Sequence, residues 1–275
     1  MSLFVSATTL VSRADSSSWL DRVNFYRKTA SLPPVEEDTE LSRAVLLHAR
    51  YMIRHGVVKH EEQRGDRDAT VDGAAAAAAS NLAGSSRIDE PDAWAIDSWM
   101  QAPFHALGIL DPALTRVGFG IEHAHTASLQ TAAGLDVIRG RRSDSSSAHY
   151  PIVWPAAGAV VPITTHVEEY PSPLTSCAGY TAPAGLPLII QLGPDATTHV
   201  RASAIVEGNR SLAHCVFDGG TYRNRDDRER QLGRSILASR GAIVLIPREP
   251  LRPGANYRAT VDINDLQIDW TFSVR

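Results

Sequence analysis

The sequence contains little cysteine: Cys177 and Cys215 are the two in a chain of 275 residues. Two cysteines are too few to staple a chain of this length, which excludes a small disulfide scaffold. One disulfide in an exported protein and two buried thiols are both compatible with this count, so the sequence leaves both alternatives open.

Long apolar runs and a strong net charge are also missing. No stretch of about 18 apolar residues occurs, so we expect no membrane-spanning helix. The formal net charge of −4 provides no attraction to nucleic acid or to an anionic membrane. The first residues form an apolar patch that is too short for a signal peptide and lacks a basic leading region, so we expect a mature or trimmed N-terminus.

Several common chemical motifs are absent as well. The sequence has no G-x-S-x-G, no P-loop, no dinucleotide fingerprint and no C-x-x-C. In HEEQR, residues 60–64, Arg64 stands where a zinc protease helix has its second histidine. In DRDATVDG, residues 66–73, Thr70 and Val71 replace an acid and the glycine of a calcium loop.

The order of periodic segments predicts an α+β fold. In the first half, apolar residues recur at helical spacing in several segments up to about residue 110. Three short runs of strand-forming residues then follow, at 115–124, 134–140 and 150–155, and predict a small antiparallel sheet.

The second half lacks a long helical period. Six strand-like runs bounded by Gly, Pro and Asn predict an all-β sandwich. We interpret the charged segment 222–235 as a solvated excursion between strands, because it carries dense charges of both signs. The predicted organisation is a tail over residues 1–18, one domain over 19–155 and a second over 156–275.

Three polar residues from separated segments form the candidate site: His60, Asn81 and His105. Neutral imidazoles that converge on one cavity can bind a divalent ion or titrate near neutral pH. His48, in contrast, lies on the apolar stripe of a predicted helix, which is typical of a core histidine with one hydrogen bond.

The same segments resemble the CAP superfamily (cysteine-rich secretory proteins, antigen 5 and pathogenesis-related plant proteins) in its bacterial branch. The resemblance covers about residues 19–155 and rests on three stretches: LSRAVLLHARYMIRHGVVKHEE, ASNLAG and AIDSWMQAPFHALGILDPALTRVGFGI. It implies an α-β-α sandwich with a central groove, export to a secreted or cell-envelope location, and two groove histidines at His60 and His105.

The chain departs from the family at two acidic positions. Many members have one glutamate in a GEN turn and a second acid three residues beyond the tryptophan; here these positions are Asn81 and Ala102. An amide is no base near neutral pH, and alanine offers no ligand. A binding role is therefore favoured over an enzymatic one.

A second resemblance concerns the end of the chain. LIPREPLRPGANYRATVDI and DWTFSVR, residues 245–263 and 269–275, are similar to the final strands of bacterial immunoglobulin-like domains. This resemblance implies an immunoglobulin-like β-sandwich behind the CAP-like domain. Such domains serve as spacers or adhesion modules, and the fold by itself does not distinguish these roles.

Two functions follow from these observations. The first is an exported interaction module whose groove holds a small apolar molecule, a cell-envelope component or a protein partner. The alternative is a hydrolase in which His60 and His105 hold a divalent ion such as zinc, whose bound water is the nucleophile. The alternative needs a base that the sequence does not identify.

Overall fold

The computed structural model describes residues 18–126, 128–143, 149–194 and 196–275. Apart from Ser18, the predicted tail over residues 1–18 lies outside the described residues. Among the described residues, no helix is both long enough and apolar enough to cross a membrane.

The described part of the first half contains five helices. Capping residues mark several of their ends. Asp38 accepts hydrogen bonds from the first-turn amides of the second helix, and Gly56 ends that helix at φ 63°. Thr70 caps the third helix, and Pro103 is the first residue of the fifth. The helices are α1 (Ser18–Lys28), α2 (Thr39–His55), α3 (Val71–Ala79), α4 (Asp92–Met100) and α5 (Pro103–Ile109).

These helices lie on both faces of a four-stranded sheet with the order β1-β3-β4-β2. Gly118 and Gly120 of β3 face α2 so closely that an added methyl group would overlap the α2 backbone. Phe119, between them, points the other way and stacks on Trp19 of α1 at 5.1 Å between ring centroids. The strands are β1 (Glu36–Glu37), β2 (Ser80–Ser85), β3 (Arg116–His123) and β4 (Thr131–Asp136).

In the described residues, the second half forms two further sheets, one α-helix and a short 3₁₀ helix. One sheet has the order β10-β11-β7-β5 and the other β6-β13-β12-β8-β9. This mixed architecture confirms the α+β class, while the immunoglobulin-like sandwich stays a prediction. The elements are β5 (Ile152–Trp154), β6 (Val160–Val161), β7 (Leu188–Gln191), β8 (Val200–Glu207), β9 (Arg210–Ser211), β10 (His214–Asp218), α6 (Asp227–Ala238), β11 (Ala242–Pro247), β12 (Asn256–Ile263) and β13 (Leu266–Val274).

Two local expectations are wrong. The run at 150–155 was expected in the first sheet, but β5 pairs with β7 in the second half, because strand propensity does not specify a partner. The charged segment 222–235 was expected to be a solvated excursion between strands. It contains most of α6, which Asp226 caps by accepting from two first-turn amides and which buries Gly233 and Leu237.

The two halves share buried contacts. One continuous core cluster includes Tyr26 and Leu107 from the first half together with Ile189 and Val244 from the second. Because the core and the pairing of β5 both cross the predicted boundary at residues 155/156, the division into two domains stays a prediction.

The two cysteines form a disulfide. Cys177 follows a 3₁₀ helix at Pro173–Ser176, and Cys215 lies in β10, with 5.4 Å between their Cα atoms. The structure thereby decides between the two alternatives that the sequence left open.

Candidate functional site

His60 and His105 line the same cavity, which has a volume of about 690 Å³. His60 stands in the loop after α2, and His105 in the first turn of α5. The tryptophans Trp94 and Trp99 of α4 line the same cavity, as does Tyr170 from the second half. The fold thus brings two histidines that are 45 residues apart in the sequence to one cavity.

A second cavity of about 450 Å³ adjoins the first. It shares His60, His105 and Tyr170 with the larger cavity and adds the third candidate residue, Asn81. We call the two cavities together the histidine groove. The remaining wall of the smaller cavity is mainly apolar and includes Phe104, Val137, Ile138, Leu232 and Ile236.

The His60 ring has a defined proton arrangement. Its Nδ1 lies 2.8 Å from the carbonyl oxygen of Ala77. Because a carbonyl oxygen only accepts, Nδ1 carries the hydrogen, and Nε2 has the lone pair in the neutral ring. Burial lowers the pKa of His60, and the bond to Ala77 opposes this only in part. His60 is therefore neutral near pH 7.

His105 has a carboxylate partner that the sequence did not reveal. Its Nδ1 lies 2.6 Å from Oε2 of Glu169 in the second half. Glu169 also accepts from the backbone amides of Phe104 and His105, at 2.9 and 3.1 Å. Burial raises the pKa of the Glu169 carboxyl, and the bonds from His105 and Phe104 oppose that rise. No motif surrounds Glu169, so no local signal identifies it.

Asn81 supports the backbone of α5. Its side-chain nitrogen donates to the carbonyl oxygen of His105 at 3.0 Å, and its side chain is largely buried. Ala102, at the other position where many family members have an acid, is the residue just before α5 and provides no side-chain cap. Asn81 therefore holds the element that carries His105, and it also lines the smaller cavity.

A buried pair anchors the loop that carries His60. The Nε2 of His48 lies 2.8 Å from the carbonyl oxygen of Lys59, and its Nδ1 lies 3.0 Å from Oε1 of Glu62. The other oxygen of Glu62 accepts from the amide of Thr70 at 2.7 Å. The prediction of a core histidine at position 48 is confirmed, with two polar partners in place of the expected one.

The described residues contain one cluster of three possible metal ligands, and it lies outside the histidine groove. Within the described part of the chain, the one group of three His, Cys, Asp or Glu residues with ligand atoms all within 4.8 Å is His55, Asp66 and Asp68. His60 and His105 do not belong to this group. Zinc binding by His60 and His105 stays a prediction, with two protein ligands.

One family model matches part of the chain. Residues 20–129 match the family model described as CAP, the cysteine-rich secretory protein family. The match runs from α1 to the segment just before β4 and contains His60, Asn81 and His105. It supports the CAP superfamily for this part of the chain. A comparison with curated proteins found no match.

Proposed function

We propose that the protein is an exported binding module whose histidine groove holds a small, mainly apolar molecule. The observation that carries this proposal is the meeting of two cavities, of about 690 and 450 Å³, at His60 and His105. Small-molecule sites are concave, mostly apolar and of roughly 300–1,000 Å³. The imidazoles supply the few polar groups that would orient such a ligand.

The apolar wall of the smaller cavity supports this proposal. Large apolar side chains are usually buried, but Ile138, Tyr170 and Leu232 are 49%, 64% and 43% exposed. All three line the smaller cavity. Exposed apolar residues that gather in one concave region are typical of a ligand site.

Two observations support export. Disulfides persist in oxidising compartments, and Cys177 is bonded to Cys215. The matched family is described as secretory. Together they favour a secreted or cell-envelope location for an interaction module of this kind.

The test is a fluorescence titration with N-phenyl-1-naphthylamine, a small apolar probe. We expect saturable binding that Leu232→Asp weakens about 10-fold or more, because a charge replaces apolar contact area worth about 1.5–3 kcal/mol. Leu266→Asp is the matched control, since Leu266 is 44% exposed and lies outside the groove. Absence of saturable binding, or equal loss in both variants, would contradict the proposal.

Metal-assisted hydrolysis is the second candidate function, and one observation favours it. The Nδ1 atoms of His60 and His105 both face oxygen atoms, of Ala77 and Glu169. Metal-binding histidines are commonly oriented in this way, with the opposite nitrogen left for the ion. A zinc ion bound there would lower the pKa of its water and so supply a nucleophile.

Calorimetric titration with Zn²⁺ tests this second candidate. We expect binding by the wild type that is lost in the double variant His60→Ala/His105→Ala. His55→Ala is the control, because His55 belongs to the separate group with Asp66 and Asp68. Heat that disappears only in this control would assign the metal to that other group and contradict the second candidate.

A further inference from the structure

We propose that Glu169 is a positioning residue that holds the proton of His105 on Nδ1 and so presents an Nε2 lone pair to the groove. The second half of the chain would then complete a site whose histidines come from the first half. A role of this lone pair in binding rests on the proposed function. The presence of the lone pair on Nε2 does not.

The hydrogen-bond geometry supports this assignment of the proton. Both oxygens of Glu169 already accept from backbone N–H groups of α5, Oε1 from Phe104 and Oε2 from His105. The Nδ1 of His105 approaches the same Oε2 at 2.6 Å. An ionised carboxylate satisfies all three N–H donors at once, and bonds of this charge-assisted type are short and strong. A proton on Nδ1 leaves Nε2 of the neutral ring without one.

Glu169 also caps the start of α5, which the residue before that helix does not do. The residue before α5 is Ala102, whose side chain cannot cap this helix. The first amides of a helix need an acceptor, and negative charge is favoured there. Glu169 supplies both from 64 residues further along the chain. One buried carboxylate therefore fixes the start of α5 and the ring of its histidine together.

The segment that carries Glu169 is itself held against the end of α4. Thr165 donates its hydroxyl to the side-chain oxygen of Gln101 at 2.9 Å, and the amide of Val167 donates to the Gln101 carbonyl at 3.2 Å. The Glu169 side chain is 1% exposed. The carboxylate is thus preorganised by contacts on both sides of the predicted domain boundary.

The variant Glu169→Gln separates positioning from a merely structural role. A glutamine keeps the size of the side chain but offers one oxygen and one NH₂ group. With its NH₂ group toward His105, the glutamine can donate to Nδ1 only if Nδ1 is unprotonated. With its oxygen toward His105, it accepts from Nδ1–H more weakly than the carboxylate does. We therefore expect the neutral His105 ring to carry its proton on Nδ1 in the wild type and to shift toward the Nε2–H form in the variant.

Long-range ¹H–¹⁵N spectra of the ring nitrogens, recorded on the full chain without ligand, measure this directly. Glu168→Gln is the matched control, because Glu168 is the neighbouring residue, also lines the groove and has no hydrogen bond to His105 among the described contacts. The ring-nitrogen signals of His105 in the Glu168→Gln variant should equal those of the wild type.

Two results would overturn the proposal: an Nε2–H ring in the wild type, or an unchanged ring in a folded Glu169→Gln variant. The wild-type spectrum decides the first point even if the variant does not fold. Loss of naphthylamine binding with the expected spectra would contradict the proposed function but leave the role of Glu169 intact.

Discussion

The indole N–H of Trp154 donates to the hydroxyl of Thr29 at 3.1 Å, and both side chains are buried. This bond joins a strand of the second-half sheet to the chain just after α1. The side-chain NH₂ group of Gln191 donates in a similar buried bond to the carbonyl oxygen of Leu110 at 3.0 Å. Buried polar bonds therefore connect the two halves, in addition to the shared core.

We expect the chain to unfold in one cooperative transition, because elements that share a buried core lose their stability together. Urea unfolding followed by far-ultraviolet circular dichroism and by tryptophan fluorescence should give coincident curves. Two resolved transitions would contradict this expectation and would support independent domains on either side of residue 155.

Arg27→Lys should lower the free energy of unfolding by about 3 kcal/mol, because buried carbonyl oxygens would lose their donors. The Arg27 side chain is completely buried, and burial lowers its pKa to about 10, so it remains charged at pH 7. Its guanidinium donates to the carbonyl oxygens of Pro33, Ile109, Asp111 and Leu114. Urea denaturation measures the change. Arg67→Lys, at a side chain 93% exposed, should leave stability unchanged.

His166→Leu should remove part of the acid sensitivity of the fold. The His166 ring is buried, neither of its nitrogens has a hydrogen-bond partner in the described residues, and burial lowers its pKa to about 4. Between pH 6.5 and 4 the unfolded chain binds a proton that the folded chain does not, so stability falls as the pH falls. The loss is on the order of 3 kcal/mol at the acid end of this window.

The measurement is the free energy of unfolding of wild type and variant at pH 7 and pH 4. The difference between the two pH values should shrink in His166→Leu and stay the same in His199→Leu, whose side chain is exposed. An unchanged pH dependence in His166→Leu would show that the ring does not titrate as its burial implies.

Loss of the disulfide should destabilise the fold by about 4 kcal/mol, because the bond closes a loop with a sequence separation of 38 residues. The double variant Cys177→Ser/Cys215→Ser, compared with the oxidised wild type in urea, measures this difference. Under reducing conditions the wild type should approach the variant. Equal stability of the oxidised wild type and the variant would contradict the expectation.

Gly120→Ala should destabilise the protein by about 2–3 kcal/mol, since its new methyl group would overlap the backbone of α2 at Leu46. Gly220→Ala is the control, because the nearest atom, Oδ1 of Asp218, is 3.4 Å from the added carbon. Thermal unfolding should show a lower midpoint only for Gly120→Ala. A normal midpoint would mean that α2 shifts away from β3 at no cost.

The parts of the fold predicted from sequence are those encoded locally. The apolar period and the caps at Asp38 and Gly56 identify α2 and place His48 in the core, because each depends on residues only a few positions apart. The helix α6 was missed although Asp226 is an ordinary N-cap, because the density of charge concealed a short amphipathic stripe.

The sequence by itself determined the α+β class, the match of residues 20–129 to the CAP family model and the choice of His60, Asn81 and His105 as candidates. The tertiary structure decided what no local pattern contains: the disulfide, the sheet that β5 joins, the common cavity, and Glu169 as the partner of His105. The physical reason is the distance along the chain over which each kind of signal acts. Helical period and caps act over a few residues, whereas a buried hydrogen bond requires only that two groups meet in space.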